Sequence, residues 1–104
     1  MNTIWKFPLA PADVIEVEMP EGAVILAVQT QQEVPCLWAI VDPDAPLEKR
    51  TILMMGTGHP RAEFDGKLTR ITPEARWKVV DSGYIGTVQM MGGELVFHFF
   101  ERRH

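Results

Sequence analysis

The sequence predicts an all-β protein, a small antiparallel sandwich or barrel of about seven short strands with at most one short helix. Short runs rich in β-branched and aromatic residues recur along the chain. Proline and glycine, which interrupt regular structure, separate these runs. Only one stretch, at Thr72-Pro73, has the signals of a helix start. We therefore expect strands joined by short turns.

Length and composition indicate one globular domain. The chain has 104 residues, of which 46% are apolar and 23% charged, so we expect residues 1–104 to form a single β domain that folds alone. The single cysteine, Cys36, allows no intramolecular disulfide and is expected to be a small buried side chain. No stretch resembles a signal peptide or approaches the ~20 apolar residues of a membrane span, which predicts a cytoplasmic protein.

The stretch from Val34 to Pro46 predicts a central strand. Its apolar run from Cys36 to Val41 is too short for a helix and is followed by two prolines. Apolar residues occupy both alternating faces of this run, so we expect neighbouring segments to cover it on both sides.

The remaining strands are predicted from shorter patterns. Residues 23–30 and 35–42 should pair as a hairpin, and the Met91-Gly92-Gly93 turn should join a second hairpin. After Thr72-Pro73, one helical turn is expected to enter a strand. The other predicted strands cover residues 3–7, 13–19, 52–55, 84–90 and 94–101.

The charges are unevenly distributed. Residues 1–45 carry one base against seven acids, residues 46–104 carry nine bases against seven acids, and the net charge is −4. The acidic total predicts no general attraction to nucleic acid. Seven bases lie between residues 49 and 78, so this region either presents a positive surface or spreads its charges over solvated loops.

The GTGHP segment (56–60) is the motif that most suggests ligand binding. Two glycines allow backbone N–H groups to converge on an anion, and nearby bases could add positive charge. The spacing matches neither a Walker motif nor GxGxxG, so a plain turn remains the alternative. Trp77, between two bases, is a candidate for stacking on a nucleotide. The candidate ligand-binding residues are Arg50, Gly56, Gly58, His59, Arg61 and Trp77.

No catalytic or metal-binding pattern is found. None of the three histidines is spaced with a second ligand as metal sites require. Cys36 has no nearby activating charge, and the acids flanking Pro43 lack the other oxygens of a calcium loop. We expect no cofactor, no metal and no catalytic residue, and an enzyme is not favoured.

Several segments also carry a family resemblance. They are TIWKFPL (3–9), EMPEGAVIL (18–26), PCLWAIVDPDAP (35–46), EKRTI (48–52), GTGHP (56–60), YIGTVQ (84–89) and ELVFHFFE (94–101). Together they resemble a family of short uncharacterised proteins encoded by tailed phages and prophages. The resemblance brings no catalytic motif, and it implies a phage origin and action in the host cytoplasm.

The resulting hypothesis is a non-catalytic binding protein that serves as a counter-defence or host-takeover factor. It would block a host protein complex or sequester a small anionic nucleotide signal, and it is compatible with a homo-oligomer. An alternative is a structural or assembly component of the phage particle. An enzyme would need His59 or His98 beside a second polar group in a deep pocket.

Overall fold

A computed structural model of the chain describes residues 1–58 and 83–102. In this part of the chain seven strands form two antiparallel sheets, which confirms the predicted all-β sandwich. One short 3-10 turn, Met91–Gly93, joins the last two strands. The strands are β1 (Thr3–Pro8), β2 (Val14–Pro20), β3 (Val24–Gln31), β4 (Val34–Val41), β5 (Leu47–Gly56), β6 (Tyr84–Met90) and β7 (Leu95–Glu101).

The strand order confirms the predicted centre and both predicted hairpins. One sheet has the order β1-β4-β3, so β4 is its central strand, and the other has the order β2-β5-β7-β6. β3 pairs with β4 and β6 with β7, each as an antiparallel neighbour. The turn after β3 contains Gln32 and Glu33, both with positive φ. This conformation lets a two-residue turn follow the twist of the strands.

The core lies between the two sheets and is formed by the side chains on the inner face of each. Leu37 of β4, Ile52 of β5 and Phe99 of β7 are fully buried there. In β2, Ile15 and Met19 are also buried, as the alternating pattern predicts. Cys36 is buried and free, which confirms the expectation for the single cysteine.

The edge strands β3 and β6 bring the two sheets together at one side of the sandwich. A Cβ atom placed on Gly86 of β6 would lie 2.9 Å from Cγ1 of Val28 in β3. Because Val28 is itself buried, this approach requires a residue without a side chain. We call the contact between β3 and β6 the seam.

One predicted strand is longer in the structure than the sequence pattern indicated. The strand predicted for residues 52–55 begins five residues earlier, at Leu47, because β2 pairs with it from Val14↔Leu53 to Pro20↔Leu47. The helical turn and strand predicted for residues 72–80 lie outside the described residues. Within the described ranges, no helix is long and apolar enough to cross a membrane.

Candidate functional site

The first candidate surface is the turn after β5, where the sequence predicted an anion site. Gly56 ends the strand, and Gly58 follows with a φ of 80° in open space. The Thr57 N–H donates to the Val96 carbonyl at 3.2 Å, which fixes the turn against β7. Of the other predicted ligand residues, His59, Arg61 and Trp77 lie outside the described residues.

Beside this turn lies a row of hydrogen-bonded side chains that we call the polar row. Its members are Thr57, His98, Thr87 and Tyr84. Nε2 of His98 lies 2.7 Å from the Thr57 hydroxyl, and Nδ1 lies 3.0 Å from the Thr87 hydroxyl. The Tyr84 hydroxyl lies 2.6 Å from that of Thr87. The row crosses the outer face of the four-stranded sheet because His98 pairs with Thr87 in the β6–β7 ladder.

The geometry of the polar row is better suited to hydrogen bonding with a ligand than to catalysis. Both nitrogens of His98 are engaged by hydroxyls, so in the neutral ring one hydroxyl accepts and the other donates. A hydroxyl beside an imidazole resembles a nucleophile and its base. A triad also needs a third group that orients the imidazole, and in the row that position is held by the Thr87 hydroxyl instead of a carboxylate. Among the described residues, no group of three or more His, Cys, Asp or Glu side chains could hold a metal ion.

Arg50 lies apart from the predicted anion site. It precedes Gly56 by six positions in β5, about 20 Å along the strand. Its side chain points between the sheets, where Nε and Nη2 donate to the Glu101 carboxylate and Nη1 donates to the Ala23 carbonyl at 2.9 Å. The structure therefore does not bring Arg50 together with Gly56 and Gly58.

The Arg50–Glu101 ion pair is largely shielded from water. Its side chains are 16% and 19% exposed. The hydrogen bonds that Arg50 donates to the Glu101 carboxylate raise the pKa of Arg50 above its ordinary value, against the opposing effect of burial, and the charges of Glu101 and Glu48 raise it further. A guanidinium held in this way has few donors left for a ligand.

A cleft of about 470 Å³ opens above this ion pair, at the seam. A groove of about 430 Å³ continues along the same two strands. Leu26 and Ile85 line both, and each lies where the strand register shifts by one residue. Such bulges turn a strand locally and are common beside binding sites.

A further candidate surface is the outer face of the three-stranded sheet. Ile4, Ile40 and Val24 lie opposite one another across β1, β4 and β3, about 5 Å between neighbours. Ile4 is 57% exposed, Val24 is 56% exposed and Leu26 is 49% exposed. Trp38 and Ile40 of the central strand are only half-buried. We call these five residues, Ile4, Val24, Leu26, Trp38 and Ile40, the outer apolar face.

This face corrects the expectation that the central strand is covered on both sides. In β4, the inward residues Leu37 and Ala39 are fully buried, whereas the outward residues Trp38 and Ile40 retain contact with solvent. An antiparallel sheet commonly places polar residues on its outer side. A contiguous apolar patch in that position is typical of an interaction site.

The sequence contained a signal for only one of the two newly found surfaces. A turn at Met91–Gly93 alone would pair Thr87 with Phe97, whereas the observed connection is one residue longer, with Met90 opposite Leu95, and places Thr87 opposite His98. The apolar residues on both faces of β4 were the signal for the outer apolar face. What the sequence did not show is which face the other sheet covers.

Fold and surfaces together define a small β-sandwich with one exposed apolar face. The chain belongs to a family described as a domain of unknown function (DUF7352), which matches residues 1–104. No curated protein and no solved structure matches it.

Proposed function

We propose that this chain is a non-catalytic binding protein that recognises a protein partner through the outer apolar face. The exposure of Ile4, Val24 and Leu26 on one side of a single sheet is the observation that carries the proposal. Burial of apolar surface is the main favourable term in most protein associations. Aliphatic residues around a half-buried tryptophan are suited to form the centre of such an interface.

The bases of the described residues 1–58 support a protein partner over an anionic ligand. Lys6 donates to Gln31 at 2.7 Å, Lys49 pairs with Glu16 at 3.8 Å, and Arg50 pairs with Glu101. Each base in the described residues 1–58 therefore already has a polar partner. An anion would have to compete with these contacts.

The biological setting that we propose is counter-defence or host takeover by a phage, with the protein blocking a host complex. The resemblance to phage and prophage proteins supports this setting by association. A structural or assembly role in the phage particle is the alternative, and it would use the same face against another particle protein.

Site-specific photo-crosslinking inside host cells tests the proposal. A photoreactive amino acid replaces Leu26, and the matched control carries it at Leu95, which is 40% exposed in the other sheet. We expect one defined covalent adduct from position 26 and none from position 95. Equal labelling at both positions, or none at 26, would count against the proposal. A particle protein as the adduct would favour the alternative role.

A second candidate function, sequestration of an anionic nucleotide, is supported by the polar row beside the Gly56–Gly58 turn. Thermal unfolding against nucleotides, cyclic dinucleotides and ADP-ribose derivatives tests it. A ligand at a thousandfold its Kd should add about 4 kcal/mol of stability, and each kcal/mol raises the midpoint by roughly 4–8 °C. A shift that Thr57→Val abolishes would support sequestration, whereas an unchanged midpoint would reject tight binding of these compounds.

A further inference from the structure

We propose that the segment received by the outer apolar face is positively charged as well as apolar, so that the partner is a cationic amphipathic stretch of protein. This inference rests on the proposed function and names the chemistry of its partner. It is carried by the charges at one end of the face.

Three acids lie in or beside the two turns at that end, and we call them the acidic rim: Glu21, Asp42 and Asp44. Asp42 comes two positions after Ile40, so it continues the same face of the strand. Its Oδ1 accepts the Asp44 N–H at 3.0 Å, which holds both residues in one tight turn. Glu21 lies in the turn before Val24, the neighbour of Ile40 across the sheet.

The acidic rim is not neutralised by the bases of the described residues. No lysine or arginine there forms an ion pair with any of the three acids. Lys6 lies on the face itself, opposite Trp38 of β4, and its Nζ reaches Gln31, which pairs with Val34 at the opposite end of the sheet. Negative charge that the described bases leave unpaired, beside apolar surface, favours a cationic partner and repels an anionic one.

The same charges argue against a second copy as the occupant. A two-fold dimer would place the same patch on both subunits. Each patch carries three rim acids against Lys6, so two negative surfaces would meet. A nucleic acid is disfavoured for the same reason.

The cleft at the seam gives the face a recess for one long side chain. Val24 and Leu26 line this cleft and also belong to the outer apolar face. Anchoring of one side chain in such a recess is common at the centre of interfaces. A cationic amphipathic segment can supply an apolar anchor while its basic residues lie against the acidic rim.

A displayed library of random peptides, sorted with the labelled full chain, tests the inference. We expect enriched peptides to combine Lys or Arg with large apolar residues. Their Kd should rise at least about tenfold in Leu26→Gln and in Val24→Thr. The matched controls Leu95→Gln and Val14→Thr should leave it unchanged.

Charge is tested separately from apolar contact. The triple variant Glu21→Gln, Asp42→Asn and Asp44→Asn should weaken binding by about tenfold at low salt and by less at high salt, because salt screens exposed charges. Neutralising Glu18 and Glu94, exposed acids elsewhere, is the control.

The outcomes separate this inference from the proposed function. Neutral or acidic peptides that still depend on Leu26 would overturn the cationic partner and leave the face as a binding site. Enriched peptides that ignore both Leu26→Gln and Val24→Thr would overturn both proposals, as would a library without enrichment. A dimer in solution that Leu26→Gln dissociates would identify a second copy as the occupant and overturn the inference.

Discussion

At the scale of single residues, Arg50 shows how a candidate ligand residue acts as a structural link. Its guanidinium bonds the Glu101 carboxylate in β7 and the Ala23 carbonyl beside β3, so one side chain joins both sheets. Its partner Glu101 lies 51 residues away along the chain. The residues around Arg50 in the sequence therefore do not indicate that it pairs with this acid. This is why the sequence grouped Arg50 with the neighbouring bases, whereas the fold pairs it with an acid.

Removal of Glu101 is therefore expected to destabilise the protein. Glu101→Gln leaves a largely buried guanidinium without its counter-charge, and the free energy of unfolding should fall by about 2–4 kcal/mol in chemical denaturation. The control, Lys49→Gln, breaks an ion pair whose side chains are 71% and 61% exposed. It should cost less than about 1 kcal/mol. Equal losses in the two variants would contradict the role of Arg50 as a buried link.

The same pair has a defined pH dependence. Because the folded state raises the pKa of Arg50, its contribution to stability is complete below the ordinary arginine pKa and is lost only at higher pH. The difference in unfolding free energy between the natural protein and Arg50→Met should therefore stay constant from about pH 6 to about pH 9. A difference that declines as the pH rises through this range would contradict the assignment.

At the scale of elements, local sequence patterns predicted the strands, whereas contacts between residues distant in sequence determine the length of β5 and the seam between the sheets. The two hairpins follow from turn chemistry at Gln32-Glu33 and Met91–Gly93, which short sequence windows contain. The full length of β5 depends on pairing with β2, and the seam depends on two strands that are distant in sequence. The bulges at Leu26 and Ile85 belong to that seam, and no local sequence pattern predicted them.

Gly86 is the residue on which the seam depends. Gly86→Ala would place a methyl group 2.9 Å from Val28 Cγ1, and we expect a loss of about 1–3 kcal/mol in unfolding free energy. The same change should cost much less in a Val28→Ala background, because the clashing atom is gone. Gln89→Ala on the exposed side of β6 is the control and should change stability by less than about 0.5 kcal/mol. Additive effects at 86 and 28 would contradict the contact.

At the scale of the whole molecule, the two sheets differ in how far the apolar residues on their outer sides are exposed to solvent. Leu53, on the outer side of the four-stranded sheet between Val14 and Phe100, is fully buried. Ile4 and Val24, on the outer side of the three-stranded sheet, are more than half exposed. The sequence predicted apolar residues on both sides of the central strand, but solvent exposure is a property of the assembled sheets. The exposure of the outer apolar face therefore emerged only from the fold.

Exposure of this face predicts its behaviour in solution. The double variant Ile4→Thr and Val24→Thr should bind less of a neutral hydrophobic dye such as Nile red in the native state, because the contiguous patch is interrupted. Its free energy of unfolding should change by less than about 1 kcal/mol, since both side chains are already exposed. Val14→Thr with Leu95→Thr is the matched control. Equal dye binding by both double variants would contradict a contiguous patch.

The most direct test of the proposed binding role of the outer apolar face is a map of backbone amide chemical shifts while a library-selected peptide is added to the labelled protein. We predict that the shifts change along β1, β4 and the first half of β3, around Ile4, Ile40 and Val24. Shift changes confined to the polar row, at Thr57, Thr87 and His98, would contradict the account and place binding on the opposite sheet.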